Sequence, residues 1–350
     1  MSLAVSAPGK VVLIGEYAVL AGAPALVMAA DRRAAVRLRR TAQPPSVVHS
    51  RGGANATTQY RFDDHTTARR AGPALPLIEA ILNELAEELD LAGAPPFVAD
   101  VDTSAFIERS ANGPEHKLGL GSSAALTVAF ASALAEYTGR LKGQEQCWIS
   151  RLISVHRRFQ NGRGSGLDIA ASLSGGVISY RMNGAVDRPT VAPRRLPDSF
   201  HVLAIWAGHS ASTEAALERL EQWRSEEPAA HRNALSELSE IATAADDAVN
   251  AGDGGRLLAT MASYGDALRR FGAASGIDIY SAAHQRIAAL AREQDAVYKP
   301  CGAGGGDIGV ACSDDVASLA ALRQSIEDAG FRTLALAVDP VGLQVQPSLE

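Results

Sequence analysis

The chain has 350 residues, with 39 acidic against 33 basic side chains, a net charge of -6 and a pI near 5.8, so it lacks the electrostatic footprint of a nucleic-acid or bilayer binder. Its hydrophobic content of 47% and charged content of 21% argue against disorder, and its length predicts two domains or one large composite one. Three cysteines without a CxxC pair argue against a disulfide framework or a structural zinc site, and no apolar run approaches a membrane span or an export signal, so a cytoplasmic protein is expected.

In chain order, VVLIGEYAVLAG reads as a strand, and residues 30–38, ADRRAAVRL, as a second one with alternating character. Arg33, Arg37, Arg39 and Arg40 are expected to coat a solvated strand face. Residues 41–70 are polar and interrupted by Pro and Gly, which predicts an irregular or hairpin excursion. LPLIEAILNELAEEL, residues 75–89, has the spacing of an amphipathic helix, and FVADVDTSAF returns to a strand. ALTVAFASALAEYTG predicts a helix stopped by Gly139, and CWISRLISVHRRFQ a second one that runs into the loop NGRGSGLD, IAASLSGG and a strand. Residues 185–198, with three prolines, form the best linker candidate. Beyond it HVLAIWAG is strand-like, and residues 213–294 are mostly helical, broken near Pro228, at AGDGG and at Gly276. CGAGGGD then precedes IGVAC, the helix DDVASLAALRQSIEDAG and a closing pair of strands. This is an α+β plan in two lobes.

Three glycine loops carry the chemistry. Glycine lets a ligand approach backbone N–H groups, and a loop feeding a helix N-terminus gathers unpaired donors with the positive end of the helix dipole. KLGLGSSAA, residues 117–125, has this form; it could equally be a tight turn capped by a serine, and it matches neither GxxxxGK[ST] nor GxGxxG. GRGSGLD sets Asp168 after a glycine turn at a helix start, where a carboxylate could cap or catalyse. CGAGGGD is more flexible than a turn requires and is expected to line something that comes close.

Taken together, APGKVVLIGEYAVL, KLGLGSSAA and CGAGGGDIG, in this order and spacing, resemble the three motifs of the GHMP kinase superfamily over nearly the whole chain. The resemblance implies a two-lobed GHMP kinase fold: a ribosomal protein S5 domain 2-like N-terminal ATP-binding domain, expected at residues 1–190, and a ferredoxin-like C-terminal domain at 191–350, with the active site between them. Within the superfamily the pattern is most similar to the phosphomevalonate kinase branch. Tyr17 stands where mevalonate kinases usually carry histidine, and Arg157 stands eleven residues before Asp168, where they place a magnesium-binding glutamate.

The resemblance implies transfer of the ATP γ-phosphoryl to the phosphate of 5-phosphomevalonate, with Mg²⁺. Lys10 and Asp168 match the catalytic lysine and aspartate. ATP is expected against Lys117 and the backbone of Gly119, Leu120, Gly121, Ser122, Ser123 and Ala124, with Ser122 or Ser123 reaching Mg²⁺. Substrate is expected at Tyr17, Arg163, Ser165 and Gly166, at the hydroxyls of Ser212 and Thr213, and beneath Gly302, Ala303, Gly304 and Gly305. Because the acceptor is a phosphate with a second pKa of about 6, a general base is hardly needed. Asp168 is therefore expected chiefly to orient Lys10, which offsets the repulsion between phosphates. His156 and His209 read as surface or loop histidines. The alternatives are mevalonate kinase, another small-molecule kinase of the superfamily, or a non-catalytic ligand-binding homologue; the presence of both Lys10 and Asp168 favours an enzyme. The expected partners are ATP and a small phosphorylated substrate, with no nucleic acid or membrane, in a monomer or homodimer.

Overall fold

The computed structural model describes residues 2–53, 55–63, 67–109, 115–140, 145–183 and 189–347. Its first sheet grows from a long hairpin: Ser2–Ile14 pairs antiparallel with Ala25–Arg40, from Ser2 opposite Arg39 to Ile14 opposite Leu26. In the second of these strands Ala34, Val36 and Leu38 are buried while Ala35, Arg37 and Arg39 are exposed, the alternation of a sheet with one covered face. The sheet runs in the order Thr190–Arg194, Val177–Arg181, Ala25–Arg40, Phe97–Asp102, Ser46–Arg51, Ala56–Asp63, Thr67–Ala71, with Ser2–Ile14 on the open side of the hairpin.

Four helices belong to this half of the chain: α1 (Pro76–Leu85), α2 (Ser122–Thr138), α3 (Glu145–Phe159) and α4 (Leu167–Ser174). Helix α2 is buried at every residue from Ala124 to Ala135, which suits its run of small and apolar side chains and makes it the central support of the sheet. It ends at Gly139, in the left-handed conformation expected of that stop.

The second sheet is antiparallel, in the order Val297–Pro300, Ile308–Ser313, His201–Trp206, Arg332–Leu334. Its helices are α5 (Thr213–Glu226), α6 (Pro228–Asn250), α7 (Gly254–Ser275), α8 (Ala282–Glu293) and α9 (Val316–Asp328), and the breaks fall at the positions read from the sequence. One continuous apolar cluster, running from Val5 to Leu334, joins the two sheets.

Four expectations need correction. The strand read over VVLIGEYAVLAG stops at Ile14, because Gly15 (φ 105°) and Tyr17 (φ 59°) turn the backbone into a 3₁₀ segment at Ala18–Ala21. Part of the linker candidate is an edge strand, Thr190–Arg194, while residues 184–188 lie outside the described residues. The closing strands do not pair with each other: Arg332–Leu334 joins the second sheet, and Gln344–Pro347 returns to pair with Ser2–Ile14 in the first. Arg33 does not coat a solvated face, because its guanidinium pairs with Asp339 and donates to the Ser6 and Gly342 carbonyls, pinning that return.

Candidate active site

Three loops far apart in sequence meet in front of α2. The Lys10 amide donates to the Leu120 carbonyl at 2.8 Å, tying the first strand to the second glycine loop. The Ser210 hydroxyl donates to the Lys117 carbonyl at 3.3 Å, and the Asp307 amide donates to the His209 carbonyl at 2.7 Å. The Tyr17 hydroxyl donates to the Ala303 carbonyl at 2.6 Å, tying the first motif to the third loop.

Glycine is required where these loops pass one another. Gly121 (φ 76°) is the N-cap of α2, and a Cβ there would lie 3.1 Å from Cγ and 3.3 Å from Cε of Lys10. The lysine stem therefore runs across the bare backbone of the loop. At Gly119 (φ 72°) a Cβ would collide with the Asp307 side chain at 2.3 Å. The serines do not cap: Ser122 and Ser123 occupy the first turn, and the N-cap, Gly121, has no side chain to offer the N-terminal donors. A loop that leaves first-turn N–H groups unpaired is built to receive an anion.

The loops enclose two adjoining cavities. The larger, about 550 Å³, is walled by Lys117, Gly119, Leu120, Gly121, Ser122 and Ser123, together with Phe106 and Leu126. The smaller, about 160 Å³, is walled by Tyr17, Ser165, Leu167 and Leu217. Lys10, Gln160, Asp168, Thr213, Gly302 and Ala303 line both.

The remaining expected residues sit elsewhere. Ala124 is buried in α2 behind the loop. Gly166 is the left-handed N-cap of α4. Ser212 caps α5 by accepting the Ala215 amide at 3.2 Å, and Arg163 pairs with Glu218 at 3.0 Å, so neither lines a cavity. Gly304 and Gly305 pack on the 278–279 backbone, where a Cβ on Gly304 would meet Ile279 at 2.7 Å.

Several participants escaped the sequence reading. Asp307 ends the third loop and faces the larger cavity; burial raises its carboxyl, offset chiefly by Lys10. His209 is bonded through Nε2 to the Gly305 carbonyl at 2.7 Å, so it clamps the third loop. His156 is 2% exposed rather than on the surface, with Nε2 3.1 Å from the Ser123 hydroxyl and Nδ1 3.8 Å from Asp168 Oδ2. Lys299 and Glu16 form a buried ion pair at 2.5 Å beneath the third loop, and the enclosed Glu16 Oε2 has no hydrogen-bond partner among the described residues. No ion pair joins Lys10 to Asp168 among the described residues, so the expected direct orientation of the lysine by the aspartate is not made.

Arg157 donates to the Gly164 and Ser165 carbonyls at 2.9 and 3.0 Å, shaping the loop before α4 rather than holding a metal. No cluster of three or more His, Cys, Asp or Glu suited to a metal occurs among the described residues. A magnesium ion carried by a nucleotide needs only one or two protein ligands. Ser122, Ser123 and Asp168 line the same cavity and carry oxygen donors of the kind that demand calls for. No helix among the described residues is long and apolar enough to cross a membrane.

Comparison with known proteins agrees with this geometry. Residues 77–176 match the family model described as GHMP kinases N terminal domain. The chain is 29% identical to the phosphomevalonate kinase of Streptomyces sp. (strain CL190), over 94% of this chain and 95% of that protein. It is 33% identical to the mevalonate kinase of Methanothermobacter thermautotrophicus, but over only 51% of this chain and 50% of that one. Its fold superposes on Streptococcus pneumoniae phosphomevalonate kinase, solved with phosphomevalonate and AMPPNP, with a TM-score of 0.77 at 20% identity, covering 96% of this chain and 99% of that one. The chain therefore has the two-domain fold of the GHMP kinases, residues 77–176 match the model of their N-terminal domain, and its resemblance to that superfamily, phosphomevalonate kinase included, holds along nearly its whole length.

Proposed function

We propose that this chain is an ATP-dependent kinase of the mevalonate route to isoprenoids that passes the γ-phosphoryl of ATP to the phosphate of 5-phosphomevalonate, releasing ADP and the 5-diphosphate. The observation that carries the reading is the shared wall: Lys10 and Asp168 line both cavities at once. A nucleotide in the larger cavity and an acceptor in the smaller would meet at those two side chains. In this reading residues 1–190 supply the nucleotide lobe, completed by the edge strand that runs on to Arg194 and by the returning Gln344–Pro347, and the rest of 191–350 forms the second lobe.

Phosphoryl transfer is governed by positioning and charge neutralisation. The free first-turn amides of α2 and Lys117 receive the polyphosphate, and Lys10, held across Gly121, lies against the group being moved. The side chains of Ser122, Ser123 and Asp168 would hold a magnesium ion arriving with the nucleotide, which would supply neutralisation of phosphate charge. Tyr17, Ser165 and Thr213 wall the acceptor pocket, and the Tyr17–Ala303 bond keeps the third loop over it.

Mevalonate kinase is the second reading, favoured by the Methanothermobacter likeness. Arg157 counts against it, since a guanidinium committed to two carbonyls occupies the position of the metal-binding glutamate. An ADP-coupled assay with ATP and Mg²⁺ separates the two. Turnover is expected with 5-phosphomevalonate and not with mevalonate, and the reverse preference would overturn the assignment.

A further inference from the structure

His156 is a buried titratable side chain that the reading above leaves without a task. It stands in the last turn of α3, is 2% exposed, and stacks on Phe159 with ring centroids 6.5 Å apart. One ring nitrogen is 3.1 Å from the hydroxyl of Ser123, in the loop proposed to hold the nucleotide. The other is 3.8 Å from the carboxylate of Asp168, beside the proposed acceptor. Both neighbours come from other elements, α2 and α4, so the imidazole is the piece that spans them.

We propose that His156 is a positioning residue for phosphoryl transfer, fixing the Ser123 hydroxyl through Nε2 while its Nδ1 faces the Asp168 carboxylate; this rests on the kinase reading above. The chemistry follows from the two ring nitrogens. A carboxylate 3.8 Å from Nδ1 is too far for a hydrogen bond, but its field favours the tautomer with the proton on that nitrogen. Nε2 is then an acceptor, and the donor it faces at 3.1 Å is the Ser123 O–H. With its proton committed to the ring, Ser123 has its oxygen lone pairs left for the cleft, the form in which a hydroxyl can serve a cation. This is the logic by which an outer side chain orients a ligand it does not replace. Asp168 in turn has Oδ1 occupied by the Ile169 amide at 2.9 Å, so the imidazole and the α4 N-terminus together set the plane of its carboxylate.

The test uses His156→Leu, His156→Gln, Ser123→Ala and the double His156→Leu/Ser123→Ala variant in the full chain. Turnover of ATP with 5-phosphomevalonate is measured against Mg²⁺ concentration, and MgADP binding by calorimetry. His156→Leu is expected to lower kcat and raise the Mg²⁺ needed for half-activity, each by about 10- to 100-fold, the range for loss of a ligand-orienting partner. KM for the acceptor should stay within about twofold, whereas a general loosening of the site would raise it too. His156→Gln keeps an acceptor near Nε2 and should recover most of the Mg²⁺ dependence. Ser123→Ala should lose as much as His156→Leu, and the double variant no more than either alone, because both remove the same bond.

Wild-type kcat and Mg²⁺ requirement in His156→Leu, or losses that multiply in the double variant, would overturn the inference. If His156→Leu does not fold, Ser123→Ala and His156→Gln decide: an unchanged Mg²⁺ requirement in the first, or an equal shift in both, overturns it. Wild-type protein that takes up no MgADP would instead sink the kinase reading itself.

Discussion

Lys10 is held in place largely by backbone: its amide is bonded to Leu120 and its stem crosses Gly121, while its charge acts on the buried Asp307 carboxyl without a close ion pair among the described residues. A cation that lines both cavities without a close ion pair among the described residues is available to phosphates, so its removal should cost more than the removal of a base that a phosphate acceptor hardly needs. We expect Lys10→Met to lower kcat by about 100- to 1,000-fold, the scale of one lost electrostatic contact to developing charge, and Asp168→Asn to lose less. Steady-state kinetics of the two variants checks this, and a larger loss in Asp168→Asn would contradict it. Gly121→Ala tests the same contact from the other side. A methyl at φ 76° would meet the lysine stem at 3.1 Å, on a backbone that costs an L-residue about 1–2 kcal/mol. The expected result is a fall in kcat well beyond what a small shift in thermal midpoint implies.

Among the elements, the third glycine loop has the most elaborate support. His284 is wholly buried between the Tyr298 hydroxyl at 2.7 Å and the Gly306 carbonyl at 3.0 Å, and burial pushes its pKa down to about 4. The unfolded chain keeps an ordinary histidine near 6.5, so between pH 6.5 and 4 the unfolded state binds a proton that the folded state refuses. Stability should therefore fall as pH drops through that window, by up to about 3 kcal/mol from this group. Denaturant titrations at pH 7 and pH 4.5 check it, and a His284→Gln variant with an equally steep pH slope would contradict the assignment. Beneath the same loop, Lys299→Met would leave Glu16 an unpaired buried charge, at a cost of about 3–5 kcal/mol. Adding Glu16→Gln should recover part of it, measurable as a higher urea midpoint for the double variant than for Lys299→Met.

At the scale of the whole molecule, periodicity made the helices and most strands legible, because α2, α6 and α7 are long and their breaks coincide with Pro228, Gly252 and Gly276. The glycine loops were legible too, since a bare backbone is needed wherever two of them touch. Long-range pairing was not. Nothing local in Gln344–Pro347 says that it returns to Ser2–Ile14, or that Arg33 closes that return onto Asp339. The burial of His156 and the partnership of Glu16 with Lys299 likewise depend on neighbours 33 and 283 positions away. Arg163 and Ser212 carried the right chemistry for an anion, yet the first is spent on Glu218 and the second on a helix cap, choices made by packing that composition does not record.

The central claim, transfer to a phosphate where the two cavities meet, is tested most directly by phosphorus NMR of the enzyme with MgATP and 5-phosphomevalonate. The account predicts that the acceptor's phosphate monoester resonance is replaced by coupled diphosphate signals as ADP accumulates. ADP formed only with free inorganic phosphate, or with an unaltered monoester signal, would contradict it.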